Sequence, residues 1–266
     1  MHKERLDVLL VQKGICTSRE MAKRLIMAGK IKVENEIIIK AGTKVDSLST
    51  ITNFQSKMPF VSRGGLKLQR AVDVFDVQLE NKVCFDIGSS TGGFTDCMLQ
   101  HGAKHVYAFD VGYGQLDWKL RSDNRVSVYE KTNFRYIEKD MISDFLFPQF
   151  ASIDVSFISL KLIIPALLRL SSDNLEIVAL IKPQFEAGKD KVGKKGIIKD
   201  PKVHIDVINM IIKAVTEMEL YTKGLTYSPV KGAKGNIEYL IYLTKNKIDE
   251  TKINVDELVS LAHEGL

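Results

Sequence analysis

From Lys82 to Leu243 short β-branched or aromatic runs alternate with longer amphipathic stretches, and this alternation restricts the fold more than any other feature. The runs are Val83 to Ile87, Val106 to Asp110, Val126 to Tyr129, Ala151 to Val155, Ile177 to Ile181, Leu220 to Tyr227 and Ile237 to Leu243. Repeated strand-then-helix units of this kind require a parallel sheet covered by helices on both faces. The 266 residues hold such a domain of about 200 residues together with a second of about 60. The division expected is 1–58, a linker at 59–63, and 64–266. Hydrophobic residues at 45% and charged ones at 27% suit packed cores and exclude a disordered chain. No apolar run approaches the roughly 18 residues of a spanning helix, because Leu162 to Leu168 is short and contains Pro165. The segment Met1 to Arg5 carries both charge signs and precedes only the short apolar run Val8 to Val11, so a secretory signal is not expected and the cytosol is. Cys16, Cys84 and Cys97 share no CxxC spacing, which argues against a disulfide framework or zinc site and for small core residues.

In an open parallel sheet ligands sit at the carboxyl ends of the strands. The first strand ends in Asp86-Ile87-Gly88-Ser89-Ser90-Thr91-Gly92-Gly93-Phe94, where glycines let a turn tighten and a ligand approach the backbone. Its spacing is GxxxGG rather than the GxGxxG of a pyrophosphate site, which disfavours a nicotinamide oxidoreductase. Asp110, followed by Val111, ends the second strand and is placed to accept hydrogen bonds from two ribose hydroxyls. A nucleoside site without a phosphate clamp is what S-adenosylmethionine requires. In methyltransferases of this class the last strand runs antiparallel beside the fifth, so its start lies at the same edge as the other strands' ends. Asp154, Lys182 and Glu238 are therefore expected to converge, with Lys67 joining them from a helix before the first strand.

The charge is uneven: residues 1–65 hold twelve Lys/Arg against six Asp/Glu, and the remainder holds 26 against 27. A basic segment on a neutral body reads as a polyanion grip or as a solvated surface. Its order favours a folded unit. Leu6, Leu9 and Leu10 have helical spacing up to Gly14, and a second helix is expected from Thr17, with Glu20 completing a capping box. Ile31 to Val33 and Ile37 to Ile39 then form a hairpin around Glu34-Asn35. Two small helices and a hairpin, with Ser18-Arg19-Glu20 and Ala28-Gly29-Lys30-Ile31-Lys32-Val33, resemble a compact α+β RNA-binding domain. That domain occurs in a small-subunit ribosomal protein, pseudouridine synthases and tyrosyl-tRNA synthetases. The resemblance implies phosphate contacts at Arg19, Lys23, Arg24 and Lys30; Arg5 and Arg63 join this RNA-binding set.

Further motifs run along the whole chain: FVSRGGLKL at 60–68, DIGSSTGGFTDC at 86–97, DVGYGQL at 110–116, TNFR at 132–135, DVSFISL at 154–160, KPQFE at 182–186 and SPVKGAKGNIEYL at 228–240. In this order they resemble the TlyA family of ribosomal RNA 2'-O-methyltransferases, whose catalytic half is of the FtsJ/RrmJ type. The resemblance implies a Rossmann-like class I methyltransferase sheet of seven strands with the small N-terminal domain, S-adenosylmethionine as cofactor, and ribosomal RNA as partner. The expected acceptor is a cytidine 2'-hydroxyl of 16S and in some members also 23S RNA. The family's catalytic tetrad falls on Lys67, Asp154, Lys182 and Glu238. Lys182 is expected to take or steer the hydroxyl proton, since Lys67 beside it drives it toward its neutral form, while the carboxylates orient. Asn133 and Arg135 reach cofactor or RNA, or cap a loop; Phe94, Phe157 and Phe185 stack on a base or pack in the core. The lysine-rich segment 188–199 either closes on RNA or is a solvated loop. Two other classes remain, a haemolysin or membrane-active protein and a catalytically inert rRNA-binding assembly factor.

Overall fold

The computed structural model describes residues 3–27, 29–53, 59–188, 191–193, 196–249 and 252–266. Two compact units divide the chain, Met1–Pro59 and Phe60–Leu266.

The first unit comprises β1 (Lys3–Arg5), α1 (Leu6–Gln12), α2 (Arg19–Met27), β2 (Ile31–Val33), β3 (Glu36–Ile37), β4 (Lys44–Asp46) and β5 (Ile51–Asn53). Strand β2 pairs antiparallel with β3 and β5, and β1 with β4. Leu6, Leu9 and Leu10 meet Ala22, Leu25 and Ile26 over Ile31 and Val33, burying the apolar faces that helical spacing predicted. The cap of α2 lies one residue later than expected: the Met21 N–H donates to Ser18 Oγ at 3.2 Å, while Thr17 Oγ turns to Met21 Sδ. Asp7, 0% exposed, accepts bonds from Arg5 Nε at 2.9 Å and Arg19 Nη2 at 3.0 Å. The Arg5 bonds, opposed by burial and assisted by Arg19, hold its carboxyl at about 2 against an ordinary 3.8. A carboxyl with a depressed folded pKa stabilises the fold above its unfolded pKa and loses that contribution as pH falls through the folded value. Acid titration of the full chain, followed by amide signals of Leu9 and Leu10, should show local loss of stability between about pH 4 and about pH 2. In Asp7→Asn, already weaker at neutral pH, that acid step should be absent; its persistence would show that other groups carry it.

The second unit begins with α3 (Gly64–Phe75), β6 (Val83–Ile87), α4 (Gly93–Gln100), β7 (His105–Phe109), α5 (Trp118–Arg121) and β8 (Val126–Tyr129). It continues with β9 (Phe150–Ile153), α6 (Leu160–Arg169), β10 (Glu176–Ile181), α7 (Pro183–Glu186), α8 (Pro201–Glu217), β11 (Tyr221–Tyr227), β12 (Tyr239–Thr244) and α9 (Val255–Gly265). The strand order is β11-β12-β10-β9-β6-β7-β8, with β12 antiparallel to both neighbours and β6 to β10 parallel. Alternate residues of a strand serve opposite cores. Phe85 and Ile87 pack under α6, α8 and α9, whereas Cys84 faces α3 and α4. All three cysteines are free and buried.

Residues 60–63 do not form the linker expected. Phe60 is buried among α3 and α4, in a niche beside Gly65 where a Cβ would stand 2.3 Å from its ring, and the Val61 N–H donates to Asp96 Oδ2 at 2.8 Å. They belong to the second unit, anchored by Phe60, because an aromatic next to a glycine-lined surface buries more area there than in solvent.

Candidate active site

Strands β7, β9 and β12 are shorter at the functional edge than expected, and this places the reactive groups. Asp110 and Asp154 stand one residue past β7 and β9, and Glu238 one residue before β12. Each is thereby released from strand alternation at the sheet's rim. Asp154 remains anchored by its N–H to the Ile87 carbonyl at 2.9 Å, and Glu238 by its carbonyl, which accepts from the Ser228 N–H at 2.8 Å.

Lys67, Asp154, Lys182 and Glu238 meet in one line of alternating charge. Lys67 Nζ donates to Glu238 Oε2 at 2.7 Å and to Asp154 Oδ2 at 3.4 Å, and Lys182 Nζ contacts Asp154 Oδ1 at 2.5 Å. Lys182 also donates to Ser156 Oγ at 3.2 Å. The Glu238 side chain is 3% exposed and that of Lys67 11%, so these pairs escape the screening that weakens surface salt bridges. Burial acts to lower the Lys67 pKa, but the Asp154 and Glu238 carboxylates outweigh it and raise it above the ordinary value. For Asp154 burial likewise pushes upward, and Lys182 with Lys67 brings the carboxyl below its usual range. The two ammonium groups do not face each other as the repulsion argument supposed. One carboxylate lies between them, an oxygen for each.

These groups open on a cavity of about 920 Å3, which the Gly88, Ser89, Ser90, Gly93 and Phe94 turn also lines. Gly88 has φ +89°, and a Cβ there would sit 2.5 Å from the Asp154 carbonyl oxygen. The turn therefore reaches Asp154 only as bare backbone. At Gly93 a Cβ would stand 2.6 Å from the Gly65 nitrogen, so α3 and α4 approach backbone to backbone below Lys67. Gly92 does not line the cavity; with φ +92° it turns the chain over Leu116 and Leu120. The Asp110 carboxylate accepts from the Ser90 N–H at 2.7 Å and the Gly112 N–H at 2.6 Å, fixing it while lone pairs remain for hydroxyl donors. Val111 beside it is 72% exposed. A rigid carboxylate beside a glycine-containing turn fits a nucleoside without phosphates.

Two residues expected at the cofactor serve the scaffold instead. Asp86 is fully buried and accepts from Thr95 Oγ1 at 2.6 Å and Ser152 Oγ at 3.2 Å, bracing β6 against α4 and β9; burial pushes its carboxyl up to about 7. Its position inside the strand points it under the sheet edge rather than over it. Asn133 caps the turn at 134–136 through the Arg135 N–H at 3.2 Å. Of the aromatics, Phe94 is core, whereas Phe157, 89% exposed with φ +63°, stands 4.8 Å from Phe185 at the cavity rim. Sequence reasoning left Ser156 and Asn236 out of the site. Both line the cavity, and each lies two residues from a tetrad member, the only signal that marked them.

Among the RNA-contact candidates, Lys23, Arg24 and Lys30 are exposed. Arg5 and Arg19 share Asp7 with side chains 48% and 55% exposed. Arg63 is exposed in the second unit and donates to the Lys231 carbonyl at 3.2 Å. Positions 189, 190, 194 and 195 of the lysine-rich segment lie outside the described residues. No helix among the described residues is long and apolar enough to cross a membrane.

The sheet order, with its single antiparallel strand and a nucleoside-type turn after the first, defines a class I methyltransferase fold. Residues 60–245 match the model of the FtsJ-like methyltransferases and residues 4–49 that of the S4 domain. The 16S/23S rRNA (cytidine-2'-O)-methyltransferase TlyA of Mycobacterium tuberculosis is 39% identical over 91% of this chain and 90% of that protein. Hemolysin A of Brachyspira hyodysenteriae is 44% identical over 90% of this chain and 98% of its own length. A solved structure from Streptococcus thermophilus, named provisionally as a hemolysin, has a TM-score of 0.78 and 45% identity, covering 100% of this chain and 97% of that one. The chain belongs to the FtsJ-like methyltransferase family, in the TlyA branch that joins an S4 domain to this fold.

Proposed function

We propose that this protein methylates a ribose 2'-hydroxyl of ribosomal RNA, a cytidine of 16S RNA alone or of 16S and 23S RNA both, with S-adenosylmethionine as donor. The observation that carries the reading is the line Glu238–Lys67–Asp154–Lys182 on one wall of a cavity that a nucleoside turn lines on another. Ser89, Ser90, Gly93 and Asp110 would hold the cofactor, which supplies a methyl group already activated on a sulfonium. Acceptor alignment and proton removal are left to the chain's own residues. Lys67 is the structural cation, held by two carboxylates. Lys182 has one carboxylate and one hydroxyl partner, and it is the group we assign to the 2'-hydroxyl: its Nζ orients the oxygen and takes the proton. Asp154 holds Lys182 in place, and Glu238 holds Lys67.

The basic N-terminal unit, taken as 1–58, supplies phosphate contacts through Arg19, Lys23, Arg24 and Lys30, which makes affinity salt-dependent. Ribosomal RNA as acceptor implies work in the cytosol. The test is incubation of isolated 30S and 50S subunits with tritiated cofactor, followed by mapping of 2'-O-methyl positions by reverse transcription at limiting nucleotide. Stops at a cytidine are expected. Label that enters base positions would make the protein a base methyltransferase, and label in no RNA would favour an inert assembly factor; either result overturns the reading.

A further inference from the structure

Glu238 shares the cavity wall with backbone that is held by side chains the transfer chemistry does not use. Gly196 lines that wall, and the backbone from 196 to 198 behind it is held at three points by two buried side chains. Asn236 donates from Nδ2 to the Gly196 carbonyl at 2.9 Å and accepts the Ile198 N–H at 3.1 Å. His204, on α8 and 1% exposed, contacts the Ile198 carbonyl through Nε2 at 3.2 Å. A carbonyl only accepts, so Nε2 carries the hydrogen and Nδ1 is the acceptor. Nδ1 then takes the Tyr239 hydroxyl at 2.8 Å and faces His263 Nε2 of α9 at 3.3 Å. Burial lowers the pKa of both histidines, in keeping with a neutral pair. Asn236 and Tyr239 flank Glu238 in sequence, and Gly232 of the same turn packs so tightly on Glu238 that a Cβ would meet Oε1 at 1.9 Å. The side chains that hold the 196–198 backbone thus include Asn236, two residues from the carboxylate that holds Lys67.

We propose that His204 is a positioning residue for the acceptor cavity: it fixes the 196–198 wall through the Ile198 carbonyl, which sets its tautomer, and Tyr239 holds the orientation of its ring. The proposal rests on the reading of this cavity as the site that receives the RNA ribose. A buried backbone must find its partners, and without His204 the Ile198 carbonyl has to turn toward water, taking the wall with it. The cofactor turn at 88–93 is on other elements and should not respond.

The experiment compares full-length His204→Phe, His204→Gln and Tyr239→Phe with the unaltered chain. Steady-state kinetics on ribosomal subunits, cofactor affinity by calorimetry, and hydrogen exchange of peptides covering 196–200 are measured. His204→Phe should raise the KM for RNA about tenfold, the effect of one lost buried hydrogen bond, and leave the cofactor Kd within about twofold. Exchange across 196–200 should rise. Glutamine places an amide donor and acceptor in the same two directions and should restore most of both effects. Tyr239→Phe, which removes only a hydroxyl, should shift exchange in the same direction by less and guards against a phenylalanine variant that fails to fold. Unchanged exchange at 196–200 in His204→Phe and Tyr239→Phe, or glutamine no better than phenylalanine, would overturn the proposal. If the unaltered chain methylates no RNA, the acceptor reading falls, and the exchange data alone still decide whether His204 holds the wall.

Discussion

Lys182→Ala should lower methyl transfer about a thousandfold, within the range that a positioned proton-transfer group contributes, with RNA and cofactor affinities little changed. Lys182 is the terminal member of the charge line, so its removal leaves Asp154 still paired with Lys67. The fold should therefore tolerate the change better than loss of an interior member. Lysine contributes both a hydrogen-bonding tip and a proton site at the end of four methylenes; arginine keeps the charge but cannot release its proton, so Lys182→Arg should be nearly as inactive. Single-turnover transfer with saturating RNA and cofactor separates chemistry from binding. Near-normal rates in Lys182→Ala would remove this residue from the reaction and move the search to water or to Ser156. A rate lost together with RNA affinity would assign it to binding instead.

The sheet was readable in the sequence because its central strands are buried on both faces. Val83 to Ile87 or Ile177 to Ile181 can be little else in a chain with helices between them, and their burial throughout bears this out. Convergence of Asp154, Lys182 and Glu238 was expected from the strand order of the methyltransferase class that the chain resembles, in which strand ends and the start of an antiparallel neighbour share one edge. Of the three-residue strands, Ile31–Val33 was readable from its apolar alternation, but the charged ones were not. Lys3–Arg5 and Lys44–Asp46 pair through backbone atoms, and their mostly charged side chains carry no alternation. The α2 cap moved from Thr17 to Ser18 because both hydroxyls satisfy the sequence rule and only tertiary packing chooses between them. Asp86 misled for a different reason: an acid near a glycine turn looks like a ligand, and nothing local reveals that Thr95 and Ser152 already engage it. The order of charges along the tetrad was likewise hidden. Sequence brings two lysines together, but only the structure puts Asp154 between them.

That interposed carboxylate makes Lys67 the residue whose loss should cost the most stability. Lys67→Met keeps much of the side-chain volume and removes the cation from between Glu238 and Asp154, which accept its bonds at 2.7 and 3.4 Å. Asp154 retains Lys182, but Glu238 is left as a buried carboxylate with no cation of the tetrad beside it. Breaking one partner out of a buried pair costs about 3–5 kcal/mol, chiefly the penalty of stranding the other charge. Urea unfolding should show a loss of that order, together with loss of transfer. If the penalty is the stranded charge, removing it must give stability back. Lys67→Met/Glu238→Gln should be more stable than Lys67→Met alone while staying inactive, and the double-mutant cycle should return a coupling of about 2 kcal/mol or more. A simple sum of the two single effects would mean that Lys67 acts through its packing on α3. In that case the alternating charges are a consequence of the fold and not what holds the acceptor wall together.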